Sequence, residues 1–310
     1  MSNGAAGRRL DAESVRRALR GAGLRPRHGL SQNFLVDVDV LEAIVGLAAP
    51  AAGRRILEIG PGLGILTEAL LDAGAVVTAV ELDRGLAAAL RERLSDRLAD
   101  VDAPHAGATP GSLRLIEGDA LDVDLAALLA PPFDVVANLP YHITSPILHA
   151  LLGRSPRPAR LVLMLQAEVA ERIAAPPGGM SYLSVFVQYH AAVRIARHVP
   201  AAAFEPAPAV GSALVVLEPH DDGDRLADAA LEDDLWRLVQ AAFRERRKMI
   251  HNVLARQLRL PAARVAAALD AAAIAPERRP QTLAVAEWRA LLTHLSPRPR
   301  QRAGPDEADR

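Results

Sequence analysis

Between residues 55 and 166, short apolar runs alternate with stretches whose apolar residues recur at helical spacing. Arg55–Ile59, Val76–Glu81, Leu113–Glu117, Phe133–Ala137 and Leu161–Gln166 are rich in Val, Ile and Leu and show little polar alternation. Runs of that kind predict strands covered on both faces. Ile65–Ala73, Arg84–Leu98 and Ser145–Leu152 predict helices between them. Strands alternating with helices predict a parallel sheet flanked by helices. Upstream, Asp37 is placed to cap a helix running to about Ala48. Residues 1–30 read as a short helix and a basic loop, and residues 100–112, with Pro and Gly, as a surface loop. After about residue 181 the pattern changes. Ala191–Val199 and Ala213–Glu218 predict two more strands, an antiparallel pair at the edge of the same sheet, separated by the proline-rich Phe204–Pro208. Beyond residue 224 the apolar spacing is helical, at Leu231, Leu235 and Leu238 and again at Leu283, Trp288 and Leu291. The pattern divides the chain into a basic segment 1–30, an α/β domain 31–220, a helical domain 221–296 and a polar, disordered tail 297–310.

Composition narrows the chemistry. Of the 310 residues half are hydrophobic but only 3% aromatic, and alanine makes up about a fifth, which favours helices over an all-β sandwich. Cysteine is absent, which excludes disulfides, thiolate metal sites and a cysteine nucleophile. No apolar run reaches the ~18 residues of a membrane span, and no apolar stretch follows Arg8 and Arg9 as it would in a secretory signal. The expectation is a cytoplasmic protein that meets no membrane. The net charge of −1 argues against a nucleic-acid partner until its distribution is considered. Residues 1–30 hold seven arginines against Asp11 and Glu13. Residues 241–260 hold Arg244, Arg246, Arg247, Lys248, Arg256 and Arg259 against Glu245. Two such blocks on a neutral body are either phosphate-binding surfaces or solvated helix faces.

The first sharp motif is Glu58-Ile59-Gly60-Pro61-Gly62-Leu63-Gly64, between the first strand and a helix. Glycines there let the backbone approach a ligand. Glu81, 21 residues after Gly60, ends the second strand, where a carboxylate accepts ribose hydroxyls. The spacing is G-x-G-x-G, not the dinucleotide G-x-G-x-x-G, and Glu58 would repel a pyrophosphate. An NAD-dependent oxidoreductase is therefore disfavoured. S-adenosylmethionine, with a sulfonium, an ammonium and no phosphates, suits the loop. Asp119, after the third strand, is placed to accept from an adenine amine.

The fourth strand ends in Asn138-Leu139-Pro140-Tyr141. Pro140 fixes its own φ and biases Leu139 towards an extended backbone. The Asn138 amide oxygen and the Leu139 carbonyl then make two acceptors for an amino group on a planar base. Tyr141 provides a ring for that base to stack on, worth about 1–3 kcal/mol. Holding the amine in this way localises its lone pair for in-line attack on a sulfonium methyl. A DNA adenine methyltransferase shares this logic, and a non-catalytic RNA-binding module would keep the basic blocks without needing Asn138 and Tyr141.

Taken together, the chain resembles the ribosomal RNA adenine dimethyltransferases. The matching elements are Ser31-Gln32-Asn33-Phe34-Leu35, Glu58–Gly64, Val80-Glu81-Leu82-Asp83, Gly118-Asp119-Ala120, Asn138–Thr144, Leu165–Val169, Phe204–Pro208 and Phe243–Lys248. The resemblance implies a seven-stranded, Rossmann-like class I methyltransferase sheet with a small helical C-terminal domain. It implies S-adenosylmethionine as cofactor, no metal, and a lining of Asn33, Leu35, Glu58, Gly60, Gly62, Glu81, Leu82, Asp119, Ala120 and Asn138. Catalysis would fall to Asn138, Leu139, Pro140 and Tyr141, and RNA binding to Arg244, Arg246, Arg247 and Lys248. The partner would be rRNA, met by a monomeric enzyme. One branch of the family dimethylates two adjacent adenines in a hairpin loop of 16S rRNA in a partly assembled small subunit. The other dimethylates a 23S rRNA adenine and gives macrolide-type resistance. The Pro61-Gly62-Leu63 loop, Leu139 and Leu165–Val169 resemble the first branch, and Ser31 resembles the second. Ala209, where a basic residue often stands, and Gly179–Leu183, which lacks the usual Tyr-Gly, depart from the family pattern.

Overall fold

The computed structural model describes residues 11–27, 29, 32–99, 109–221, 223, 226 and 228–295. The chain falls into two compact units, one of Met1–Ala175 with Phe186–Arg225 and one of Pro176–Val185 with Leu226–Arg310. The first unit opens with α1 (Ala12–Gly21), capped by Asp11, whose side chain accepts from the Ser14 amide. After β1 (Phe34–Leu35) comes α2 (Val38–Ala48), where the Asp37 side chain accepts from the Val40 amide. The alternating region follows as β2 (Arg55–Ile59), α3 (Ile65–Asp72), β3 (Val76–Glu81), α4 (Arg84–Arg93), β4 (Leu113–Glu117), β5 (Asp134–Asn138), α5 (Thr144–Gly153), β6 (Arg160–Gln166) and α6 (Ala167–Ile173). α7 (Tyr182–His190), β7 (Ala191–Val199), β8 (Phe204–Glu205) and β9 (Ser212–Pro219) complete the elements before the C-terminal helices.

Seven strands form one sheet in the order β4-β3-β2-β5-β6-β9-β7. β4, β3, β2, β5 and β6 run parallel, β9 is antiparallel to β6, and β7, antiparallel to β9, returns to the common direction. The apolar runs of β2, β3, β5 and β6 are buried for the reason their sequence predicts: helices cover both faces, so neither face meets water. A fork of hydrogen bonds from Arg54 to Asp134, 2.5 and 2.6 Å, ties β2 to β5 at their N-terminal ends, away from the opposite rim. The chain winds outward from β2 to β4, then returns to start β5 on the other side of β2. That reversal opens a crevice at the carboxyl ends of the central strands.

β9 and β7 form the antiparallel pair expected at the edge of the sheet, with β9 beside β6 and β7 outermost, where its exposed Arg194, Arg197 and His198 face solvent. Two details differ from the sequence reading. The helix expected over Arg84–Leu98 stops at Arg93, and a single 3-10 turn over Ser95–Arg97 follows, because Ser95 and Asp96 favour turns over helix interiors. Finally, β1 pairs antiparallel with β8, Phe34 opposite Glu205 and Leu35 opposite Phe204. Two-residue strands leave no periodic signal.

The second unit contains α8 (Ala229–Phe243), α9 (Ile250–Gln257), α10 (Ala262–Ala271) and α11 (Val285–Leu295). Leu235, Leu238, Leu283, Trp288 and Leu291 are buried within it. Pro176–Val185, read from sequence as part of the 31–220 domain, groups with this unit. The Gly178 amide donates to the Gln281 carbonyl, and the Tyr182 ring meets Trp236 edge-on at 6.2 Å. Among the described residues no helix is long and apolar enough to cross a membrane. Ser31, the tail 297–310 and most of the expected loop 100–112 lie outside the described residues.

Candidate active site

A pocket opens at the carboxyl ends of β2 to β5. It gathers Asn33, Leu35, Glu58, Gly60, Gly62, Glu81, Leu82, Asp119, Ala120, Asn138, Leu139, Pro140 and Tyr141. Every site residue expected in the α/β part of the chain is therefore in one place. Gln32, Phe34 and His142 also reach it.

The glycine loop takes its shape from positive φ at Gly60 (69°), Gly62 (58°) and Gly64 (74°). At Gly64 a side chain is doubly unfavourable, since its Cβ would lie 2.2 Å from the buried Leu90 Cδ1. Glu81, 5% exposed, organises the loop. One carboxyl oxygen accepts from the Gly62 amide at 2.9 Å and the other from the Asp83 amide at 2.8 Å. Each oxygen keeps a second acceptor position, so this structural duty is compatible with binding hydroxyls. Burial raises the Glu81 pKa, and the two amide bonds work against that shift.

Glu58 is more deeply buried, at 1% exposed, and its Oε2 has no hydrogen-bond partner among the described residues. Burial pushes its pKa up to about 8, with the Glu81 carboxyl adding to the rise. An orphaned buried carboxyl oxygen is costly unless a ligand completes it. Among the described residues the pocket lining carries Glu58, Glu81 and Asp119 but neither lysine nor arginine. Such a lining repels a pyrophosphate and suits a cationic ligand, so S-adenosylmethionine fits where a dinucleotide does not. Half-buried Asp119 accepts from the Leu121 amide at 2.8 Å, beside buried Ala120 and exposed Leu82. Among the described residues no group of three or more His, Asp and Glu is arranged to hold a metal ion.

Asn138, Leu139 and Pro140 extend β5 into the rim. The Asn138 Nδ2 donates to the Asn33 carbonyl at 3.3 Å. With the amide nitrogen used in this way, the oxygen is left as an acceptor. The Leu139 amide donates to the Met164 carbonyl at 3.2 Å, which holds this peptide against β6. Pro140 has φ −55° and ψ 130°, extended as its ring requires, and delivers Tyr141 into a short 3-10 turn. The half-buried Tyr141 hydroxyl lies 2.8 Å from Ser212 Oγ.

The segment before β1 lies against this site. Phe34 packs with Val15, Leu19, Leu63 and Leu86 in a small core cluster. Gln32 donates to Asp83 at 3.2 Å, and Arg27 pairs with the same carboxylate at 3.2 Å. Arg16 and Arg20 pair with Glu13, and Arg16 also with Glu205. Several arginines of the N-terminal block are therefore engaged within the protein. Sequence reasoning misses Asp83 and Ser212 as site residues, because their roles arise from contacts with distant segments. Arg244, Arg246, Arg247 and Lys248 stand apart from the pocket in sequence, in the exposed turn between α8 and α9. Arg244 donates to Gln257, while Arg256 pairs with Glu245. Arg246, Arg247 and Lys248 make no ion pair among the described residues.

Residues 23–293 match the family model described as ribosomal RNA adenine dimethylase. A relative from Anaeromyxobacter sp. (strain K), named ribosomal RNA small subunit methyltransferase A, is 44% identical over 281 residues, spanning 86% of this chain and 93% of its own. A protein of the same name from Moorella thermoacetica is 40% identical over 289 residues, spanning 89% and 95%. Among solved structures, a dimethyladenosine transferase from Plasmodium falciparum superposes with TM-score 0.66 at 25% identity, over 84% of this chain and 96% of that one. The 23S rRNA methyltransferase ErmE superposes with TM-score 0.65 at 28% identity, over 85% and 99%.

Proposed function

The chain belongs to the ribosomal RNA adenine dimethylase family, and from that premise we propose that it methylates adenine N6 of small-subunit rRNA with S-adenosylmethionine as donor. It is a methyltransferase of rRNA. The small-subunit target rests on the relatives bearing that name, which share 40–44% identity, against 28% for the 23S enzyme. The observation that carries the chemistry is Asn138-Leu139-Pro140-Tyr141 at the rim of a pocket lined by carboxylates.

When bound, S-adenosylmethionine supplies an electrophilic methyl group on a sulfonium. Glu81 accepts ribose hydroxyls while it holds the glycine loop through Gly62 and Asp83. Glu58, held neutral by burial in the free protein, offers its orphaned Oε2 to the ligand and would ionise beside a bound cation. Asn138, its amide nitrogen anchored on Asn33, turns its oxygen to one N–H of the acceptor amine. The Leu139 carbonyl takes the other, and the Tyr141 ring stacks the base. No residue of this chain has to remove a proton before attack, because the nitrogen becomes acidic only as it is alkylated. The Asn138 oxygen remains an acceptor for that proton's departure to water. Arg246, Arg247 and Lys248 contact rRNA phosphates.

The substrate we favour is a partly assembled small subunit, with two adjacent adenines of a hairpin loop each receiving two methyl groups. A loop adenine leaves its stack cheaply to reach Tyr141. Small and large subunits isolated from cells lacking the enzyme, incubated with methyl-labelled S-adenosylmethionine and mapped by mass spectrometry, test this. Dimethyladenosine in the small-subunit RNA alone is expected. Label confined to large-subunit RNA would overturn the target assignment.

A further inference from the structure

The Tyr141 ring projects from a short 3-10 turn at the pocket rim and is only half buried. A half-buried ring has fewer packing contacts to fix its orientation than a fully buried one. Its hydroxyl, however, shares a 2.8 Å hydrogen bond with Ser212 Oγ, 71 residues away in the chain. Ser212 is 1% exposed and begins β9. It is registered opposite Gln166 of β6 on one side and Val199 of β7 on the other. The adjoining Gly211 carbonyl accepts from the Ala167 amide at 3.0 Å. Gly211 also leaves little room for movement, since a Cβ there would lie 3.2 Å from the Val199 carbonyl oxygen. Ser212 is thus a fixed point in the sheet, and the half-buried Tyr141 ring is tied to it through its hydroxyl.

We infer that Ser212 is a positioning residue of the methyl transfer, holding the Tyr141 ring in the one orientation in which the target adenine stacks on it with its amine at Asn138 and Leu139. The inference rests on the reading of Tyr141 as the stacking ring. It assigns the phenol hydroxyl a purpose that stacking alone does not require. It also accounts for the serine at this point of β9, a strand whose next five residues are all apolar and buried. Burial raises the Tyr141 pKa, which keeps the hydroxyl neutral and fit for a tether instead of proton transfer. A base misplaced by a fraction of its reach loses in-line geometry, so removing the tether harms turnover more than cofactor binding.

The test is a double-mutant cycle on Ser212→Ala and Tyr141→Phe, with Ser212→Thr as the variant that keeps a hydroxyl. Ser212→Ala should lower kcat by roughly 3- to 10-fold, the scale of one hydrogen bond, with the S-adenosylmethionine Kd unchanged. Tyr141→Phe should do the same, the double variant should be no worse than either, and Ser212→Thr should stay within about twofold of the parent. The chain has three tyrosines, so 3-fluorotyrosine labelling gives a 19F spectrum simple enough to follow the Tyr141 signal, identified by its disappearance in Tyr141→Phe. Ser212→Ala should shift that signal in the protein alone. Multiplying defects in the double variant, or an unmoved signal, would overturn the inference. Failure of the unaltered enzyme to modify adenine in any rRNA would overturn the reading of Tyr141 itself, and is told apart because the fluorine signal is measured without substrate.

Discussion

Glu58 illustrates how a single side chain couples stability to ligand. Its pKa of about 8 lies well above the ordinary carboxylate value of 4.5, so the folded protein keeps a proton that the unfolded chain releases. Between about pH 5 and 8 stability should therefore fall as pH rises, by up to about 1.4 kcal/mol per pH unit from this one group. Glu58→Gln should flatten that slope in denaturant titrations run across the window, and at pH 8 and above should weaken S-adenosylmethionine binding in calorimetry. A slope unchanged by the substitution would show that Glu58 is ionised throughout. Asn138 is expected to behave differently. Asn138→Ala removes an acceptor that matters when the amine is aligned, so single-turnover rates should fall by at least about 100-fold, while cofactor affinity changes by less than about tenfold. Comparable losses in both would place Asn138 in cofactor binding alone. The residue types at these positions are legible in the sequence, since a carboxylate before a glycine loop and an amide before Leu-Pro-Tyr have few other uses in that order. The protonation of Glu58 is not legible there, because it follows from the packing of α3 and β3 around it.

At the scale of elements, the short β1–β8 pair matters most. It joins the segment carrying Asn33 to the Phe204–Pro208 segment, and so fixes the carbonyl that anchors Asn138. Phe34 sets this pair in place by packing into the cluster of Val15, Leu19, Leu63 and Leu86, with its ring 3.2 Å from where a Gly62 Cβ would stand. Phe34→Ala should cost about 3 kcal/mol of local packing. Its signature should be faster hydrogen exchange of amides 15–36, with a weaker S-adenosylmethionine Kd and little change in exchange of the β2, β3 and β5 amides. Uniformly faster exchange over the whole sheet would mean that Phe34 supports the fold and not the cofactor pocket. Sequence periodicity identifies β2 to β7, β9, α2, α3 and α5 to within a residue or two, but it sets no bounds for α6, α7, α9 and α10. It cannot register two-residue strands, because a pattern of period two needs several residues to show itself.

For the molecule as a whole, charge is the telling property. A net charge of −1 conceals basic groups whose fates differ. In the first unit Arg16, Arg20 and Arg27 are paired with carboxylates, so their charge is partly neutralised within the protein. In the second unit Arg246, Arg247 and Lys248 are exposed in the turn before α9. Replacing these three with Ala should weaken rRNA binding and lower the slope of log K against log salt by up to about 0.7–0.9 for each phosphate left without its cation. Replacing Arg16 and Arg20 should change the slope less. Filter-binding titrations at several salt concentrations measure both, and equal slopes for the parent and the triple variant would make the turn a solvated surface.

The order of strands and helices, the glycine loop with Glu58 and Glu81, and the Asn138–Tyr141 element could be read from the sequence because each is carried by residues within one strand and its following loop. Local spacing is sufficient for such features, and their chemistry points to a methyl transfer to an adenine amine before any contact is known. The tertiary structure alone decided which distant residues serve them: Asn33 for the Asn138 amide, Asp83 for Gln32 and Arg27, and Ser212 for the Tyr141 hydroxyl. It also decided that Glu58 loses its water. A hydrophobic pattern records that a position is buried, but the partner it meets and the dielectric around it depend on segments brought together only by folding.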